Sequence, residues 1–334
     1  MEPTAEPVLP GPATPPGRPE AEERPGAEER GAGREADEVQ DVQEGSLRDA
    51  TLQEGSLSSG SFQEGSLRDE TFQAAFLKEG ELTVRGRIEE ASNAVLFCTV
   101  THEGRTVDCV YKPVAGERPL WDFPDGNLAQ RETAAYEISR TTGWGLIPAT
   151  VLREGPYGPG MVQRWIEVPD GEEIPPLLAL VEADEPGPGW KAVGFAETGQ
   201  GRPALLVHAD DARLRRLAVL DAVINNGDRK GGHLLPGPGG RLFAIDHGVT
   251  FHTDDKLRTL LWGWAGEPLP EEAVTVLERL RAELAAGRPL AARLAELLTA
   301  AETAALRARV AALLASGRHP EPGGDWPPIP WPPV

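Results

Sequence analysis

The sequence predicts an α+β domain: a small antiparallel sheet lobe with one helix over 74–168, then a larger helical lobe over 169–318. Three observations predict it: β-rich runs separated by short turns between 82 and 112, a capped helix after Asn127, and Ala/Leu/Arg-rich helical sequence from 271 onward. A disordered acidic region at 1–73 precedes the domain, and a Pro/Trp-rich tail at 319–334 follows it.

The first forty residues are Pro, Gly, Ala and Glu with almost no large apolar side chain, so they cannot bury enough surface to offset chain entropy. Residues 1–70 hold 17 Asp and Glu against 6 Lys and Arg, so 11 of the 20 net negative charges lie there. Three decapeptides follow over 43–72, QEGSLRDATL, QEGSLSSGSF and QEGSLRDETF. Each unit has two apolar positions, too few to stack as a solenoid, and reads as a flexible spacer.

The runs LTVRGRI (82–88), AVLFCTV (94–100) and VDCVYK (107–112) then read as three antiparallel strands. Cys98 and Cys109 fall within them; two cysteines make no disulfide framework or closed zinc site, and these read as small buried hydrophobes. A helix starts at the Asn127 cap and stops at Gly143. Short strands near 148–152 and 161–166 come next, then a polar Pro/Gly-rich stretch to about 203. The segment at 210–224 is an amphipathic helix leading into a Gly-rich loop and the strand LFAID. Helices fill 271–317, broken once at 287–289, and the tail GGDWPPIPWPP is extended, solvated or docked by its tryptophans.

At 100° per residue, Leu128, Glu132, Ala135 and Ile138 share one face of the first helix, with Glu137 opposite. A bare carboxylate on an inward stripe costs on the order of several kcal/mol. Lys112, at the end of the third strand, is the available cation; a partly exposed Glu132 at the helix edge is the alternative.

The loop NNGDRKGGHLL (225–235) places Asp228, Lys230 and His233 among glycines, and eighteen residues past Asp228 the strand LFAID delivers Asp246. Phosphoryl transfer needs metal ligands and charge neutralisation around phosphates more than covalent help. One acid on a loop can accept a hydroxyl proton, and a second acid after a strand can hold Mg²⁺. The spacing D-x-K-x-x-H followed by D-x-G resembles the kinase catalytic-loop pattern D-x-K-x-x-N followed by D-F-G. Asp221 sits on the apolar face of its helix and reads as an anchor for loop amides. His247 and His252 read as packed or hydrogen-bonded rather than metal-bound. Lys256 and Arg258 read as a solvated surface pair, with an acceptor phosphate headgroup as the alternative.

These motifs, VYKP, N-x-D-R-K-x-x-H and IDHG, resemble the phosphatidylinositol 3-/4-kinase-like branch of the kinase superfamily, which includes type II phosphatidylinositol 4-kinases and HipA-like kinases. The stretch over 78–280 is similar to an uncharacterised bacterial family grouped with them. The resemblance implies a bilobal protein-kinase-like fold, ATP with Mg²⁺ or Mn²⁺, and an unidentified hydroxyl acceptor. It implies that Lys112 holds the α/β-phosphates and Glu132 pairs with it. Asp228 would be the catalytic base with Lys230 in the same loop, and Asp246 the main metal ligand. His233 stands where these kinases place a metal-binding Asn, although Mg²⁺ prefers oxygen. Backbone amides of Ser92 and Asn93 could cradle phosphate, or form an ordinary β-turn. Gln163 and Trp165 fall where an adenine-contacting hinge is expected.

Two further readings stand beside this one. A pseudokinase would bind nucleotide without turnover, and a metal-dependent phosphohydrolase would use Asp228, His233, Asp246, His247 and His252 but leave Lys112 and Glu132 without a purpose. The acidic balance argues against nucleic acid. No stretch approaches a membrane span, and the acidic N-terminus has no apolar h-region, so a cytoplasmic protein is expected.

Overall fold

The computed structural model describes residues 70–88, 93–167, 175–182, 184–197, 201–323 and 326–333. The acidic region and all of the decapeptides before residue 70 lie outside them, as does Ser92. Helix α1 (Glu70–Glu79) begins within the last decapeptide, where the sequence was read as spacer. Phe76 and Leu77 carry it into the core. Its C-terminal carbonyls are capped by Arg153, which donates to Leu77 O at 2.6 Å and Gly80 O at 2.7 Å.

Three strands follow as expected: β1 (Glu81–Ile88), β2 (Val95–His102) and β3 (Arg105–Pro113). After helix α2 (Leu128–Thr142) come β4 (Thr150–Gly155) and β5 (Gly158–Arg164). They form one antiparallel sheet in the order β1-β2-β3-β5-β4. Cys98 lies opposite Cys109, both fully buried. Burial pushes the Cys98 thiol up to about 11, so these are packed neutral side chains. Gly160 lets β5 lie flush against β3 beside Lys112, because a Cβ there would meet Lys112 O at 2.6 Å.

The ends of α2 follow the sequence reading. The Asn127 side chain accepts from the Gln130 N–H at 2.8 Å, and Gly143 closes the helix with φ 70°. A second carboxylate helps: Glu117 accepts the Leu128 and Ala129 N–H groups at 2.8 and 2.9 Å. The helix is buried nearly all round, so its carboxylates need partners. Glu137, half-buried, finds Arg140 at 2.9 Å and Arg293 at 3.5 Å.

The stretch read as irregular before residue 203 instead contains strands. β6 (Leu178–Val181), β7 (Trp190–Glu197) and β8 (Pro203–Ala209) make a second antiparallel sheet, ordered β6-β8-β7. Helix α3 (Ala212–Ile224) starts at the Asp211 cap, and a hairpin of β9 (Leu234–Gly237) and β10 (Arg241–Ala244) follows the loop after it. The C-terminal helices are α4 (Glu271–Glu283), α5 (Pro289–Leu297) and α6 (Ala300–Ser316). That segment breaks twice rather than once. The second break is at Thr299, whose hydroxyl accepts the Glu302 N–H at 3.2 Å while Glu302 accepts the Thr299 N–H at 2.8 Å.

One continuous apolar cluster joins these layers, from Phe76, Tyr111 and Val162 through Ile138 and Leu217 to Leu277 and Leu306. The described domain is thus α+β with antiparallel sheets, and no described helix is long and apolar enough to cross a membrane.

Fully buried Trp264 lies between two histidines, with ring centroids 4.3 Å from His208 and 6.2 Å from His319. Each histidine accepts a hydrogen bond at Nε2, His208 from Gly263 N–H at 3.1 Å and His319 from Arg215 Nε at 3.2 Å. Protonation would set donor against donor. Burial, then the Arg215 charge, depresses His319 to about 4 despite Glu267, and burial lowers His208 despite its bond to Ala209 O and the Asp210 charge. The unfolded chain therefore takes up these protons first. The stabilisation is whole above about pH 6.5 and declines as pH falls toward 4, by at most about 1.4 kcal/mol per histidine per pH unit. Urea unfolding between pH 7.5 and 5 is expected to show this loss, reduced in a His319→Gln chain. An identical slope in both chains would contradict the assignment.

Candidate functional site

Three elements bring polar groups together at one edge of the continuous core. Lys112 comes from the end of β3, Glu132 from the second turn of α2, and Asp246 from just past β10. The Lys112 ammonium donates to Glu132 Oε1 at 2.7 Å and to Asp246 Oδ1 at 3.2 Å. The other oxygen of Glu132 accepts the backbone N–H of His247 at 3.0 Å. One buried carboxylate therefore holds both the β3 lysine and the backbone that follows Asp246.

Asp246 has φ 61°, a left-handed conformation that Asp tolerates better than most residues. Its Oδ2 lies 3.3 Å from Nε2 of His233, and its side chain is 49% exposed, so it can meet a solvent-borne ligand. The Lys112 charge, with a smaller contribution from His233, holds its carboxyl well below the usual range. Burial opposes the charge on Lys112, yet Asp246 and Glu132 together keep its pKa above the ordinary lysine value. Burial drives His233 down to about 4, against the pull of Asp246, so its imidazole is neutral near pH 7. The Lys230 N–H donates to its Nδ1 at 3.4 Å, which leaves the Nε2 proton directed at Asp246.

The loop after α3 is held by buried polar groups. Asn225, with φ 53°, ends the helix; its amide donates to His252 O at 2.9 Å and Asp254 O at 2.6 Å, and its carbonyl accepts the Lys256 N–H at 3.0 Å. Asn226 donates to Asp221 Oδ1 at 2.9 Å and accepts the Asp228 N–H at 3.0 Å, which fixes the start of the loop. Asp228 pairs with Lys230, Oδ2 to Nζ 3.2 Å. Burial raises the Asp228 pKa, and the Lys230 charge offsets part of the rise.

Arg229 is the residue that the sequence reading passed over. It is fully buried and donates to Asp221 Oδ2 at 2.9 Å from Nε, to Asp221 Oδ1 at 3.0 Å from Nη2, and to Ile245 O at 2.9 Å from Nη1. Its Nη2 also lies 2.6 Å from His247 Nε2. A guanidinium only donates, so that nitrogen of His247 accepts and carries no proton. Asp221 thus holds the side chains of Arg229 and Asn226, where its sequence pattern pointed to loop amides. The clue was Arg229 itself, eight residues after a carboxylate on an apolar helix face.

The remaining expected site residues make the following contacts. Asn93 accepts the Arg118 N–H at 2.9 Å through its side chain. Gln163 is buried and donates to Thr150 Oγ1 at 2.8 Å, while Trp165 packs edge-on against Phe97 at 5.3 Å. His247 is buried against Arg229, and His252 bonds Asp122 O through Nε2 at 2.9 Å and accepts the Asp254 N–H at 3.0 Å. Among the described residues both rings are hydrogen-bonded, His252 through both nitrogens and His247 through Nε2 alone. Lys256 is no solvated surface cation: it is 7% exposed, bonds Asp122 Oδ2 at 2.6 Å, and lies 4.4 Å from the Trp326 ring centre. Arg258 donates to carbonyls of the C-terminal tail.

A metal held by protein donors alone does not fit: among the described residues no group of three or more His, Cys, Asp or Glu is arranged for it. A Mg²⁺ ion shared with phosphates needs only one or two carboxylates, and the ionised, half-exposed Asp246 suits that role.

No family model matches the chain. Protein Rv2133c of Mycobacterium tuberculosis (strain ATCC 25618 / H37Rv) is 49% identical over 264 residues, spanning 77% of this chain and 94% of that protein. The chain belongs to the family of Protein Rv2133c. Among solved structures, the Helicobacter pylori proinflammatory kinase CtkA aligns with a TM-score of 0.39 and 10% identity, over 72% of this chain and 94% of that one. A likeness of that size decides neither the fold nor the activity of this chain.

Proposed function

We propose that this domain is an ATP- and metal-dependent phosphotransferase with a bilobal kinase-like arrangement, related to the phosphatidylinositol 3-/4-kinase-like branch, acting on a hydroxyl acceptor. The observation that carries the reading is the Lys112 ammonium bonded at once to Glu132 and Asp246, beside a loop that holds Asp228. When bound, the metal neutralises charge on the triphosphate and ATP supplies the phosphoryl group. Asp246 is the metal ligand, with His233 beside it. Lys112, steered by Glu132, offers its ammonium to phosphate oxygens. Asp228, its pKa raised by burial, accepts the hydroxyl proton, and Lys230 tempers its charge.

The deciding assay is ADP formation with Mg²⁺ and with Mn²⁺, alongside nucleotide binding by calorimetry. Asp228→Asn is expected to keep nucleotide affinity within about twofold while lowering transfer by about 10²–10⁴-fold, the usual contribution of a positioned base. Unchanged turnover in that variant would remove Asp228 from the mechanism.

One observation favours the second reading, a nucleotide-binding pseudokinase. Both oxygens of Asp246 already face partners, Lys112 at 3.2 Å and His233 at 3.3 Å. Binding without ADP formation under either metal selects it. The phosphohydrolase reading draws no support from His247, fully buried with Nε2 held by Arg229, or from His252, bonded through both nitrogens.

A further inference from the structure

The C-terminal tail is seated, and almost entirely by its carbonyls. Thr259 N–H and Trp262 Nε1 donate to Pro328 O at 3.0 and 2.8 Å. Arg258 donates to Pro327 O at 3.0 Å and to Ile329 O at 3.3 Å. The Gly231 N–H donates to Pro333 O at 2.9 Å. Trp326 anchors one end over Lys256, 6.0 Å from the Trp121 ring, and Pro330 is buried. These donors read the main chain of the segment rather than particular side chains. The acceptors are the main-chain carbonyls of Pro327, Pro328, Ile329 and Pro333, a set that a polypeptide carries and a headgroup or a small polyol lacks.

The seat adjoins the loop of Asp228. Arg229 pairs in parallel with Thr259, its N–H donating to Arg258 O at 3.0 Å, and Gly231 belongs to the same loop. After Ser316 the sequence contains no Ser, Thr or Tyr, so the tail brings no hydroxyl to this place.

We propose that the surface formed by Gly231, Arg258, Thr259 and Trp262 is a seat for a polypeptide segment, that the acceptor is such a polypeptide bearing a hydroxyl, and that residues 326–333 fill the seat in cis as a hydroxyl-free occupant. The acceptor claim rests on the phosphotransferase reading; the seat does not. In the transfer, the acceptor oxygen forms a bond to the γ-phosphorus of ATP, the bond from that phosphorus to the bridging oxygen breaks, and ADP leaves. The hydroxyl proton passes to the Asp228 carboxylate. The tail holds the acceptor's place until it is displaced.

The test uses the full chain. A dye-labelled nonapeptide with the sequence of 326–334 is titrated into wild type and into Ile329→Asp, which loosens the tail. Trp326→Ala, which removes the anchor over Lys256, serves as an independent loosened chain if the first does not fold. Anisotropy is expected to show at least tenfold tighter binding to a loosened chain than to wild type. Equal binding, or binding to neither, overturns the seat. With Mg²⁺ and ATP, the peptide carrying Ser in place of Pro333 is expected to gain phosphate at least tenfold faster with a loosened chain. Transfer to phosphatidylinositol vesicles or glycerol but not to the peptide overturns the acceptor claim and leaves the phosphotransferase reading standing. Peptide binding with no ADP formed in any arm supports the seat and overturns the acceptor claim together with that reading.

Discussion

An Asp246→Asn chain is expected to lose metal-dependent ATP affinity by about 10²-fold or more, equivalent to at least about 2.7 kcal/mol, while remaining folded. Asparagine keeps an oxygen for Lys112 and tolerates the left-handed backbone at φ 61°, so the change isolates the charge. Asp246→Ala should lose as much affinity, plus a small stability cost for a Cβ residue without a compensating side chain in that conformation. The side chain is 49% exposed and Lys112 keeps Glu132, which is why the fold survives. Calorimetric titration of ATP with and without Mg²⁺ reads the first effect, and thermal unfolding of the apo chain reads the second. Wild-type affinity in both variants would end the metal-nucleotide reading.

The largest stability effect is expected at Asp221. It and Arg229 are fully buried and joined by two hydrogen bonds, at 2.9 and 3.0 Å. Asp221→Asn leaves a buried guanidinium without its counter-charge, a loss of about 3–5 kcal/mol. Replacing both partners, Asp221→Leu with Arg229→Met, should recover part of that loss, because no orphan charge remains. Urea unfolding of the three chains measures it. A single variant within about 0.5 kcal/mol of wild type would mean that the pair contributes little. The double variant should still impair the site, since Arg229 also bonds Ile245 O and His247.

What could be read from the sequence was what side-chain chemistry announces. Asn127 and Gly143 mark the ends of α2 because a capping amide and a left-handed glycine have few substitutes. Lys112 and Glu132 were paired on the ground that an inward carboxylate needs a cation, and Asp246 followed from its strand. The second sheet escaped because β6 has only four residues and Pro and Gly surround its neighbours. Helix α1 escaped because its first turn carries repeat sequence. Arg229 was hidden by its neighbours: between Asp228 and Lys230 it reads as one more loop charge, and only the fold turns it inward. Docking of the tail was signalled only by its tryptophans, of which Trp326 lies over Lys256; its seating through Pro327, Pro328 and Pro333 uses carbonyls, which every residue possesses.

Adjacent residues of α2 face in different directions. Arg131 grips Glu302 in the first turn of α6 at 2.7 Å, and Glu132 grips both Lys112 and the His247 amide. A slip of α2 by one residue, about 1.5 Å of travel and 100° of rotation, would break all three grips together. The helix is thereby indexed like a key with teeth on two sides. An imperfectly docked α6 would be felt at the lysine, with no moving part between them.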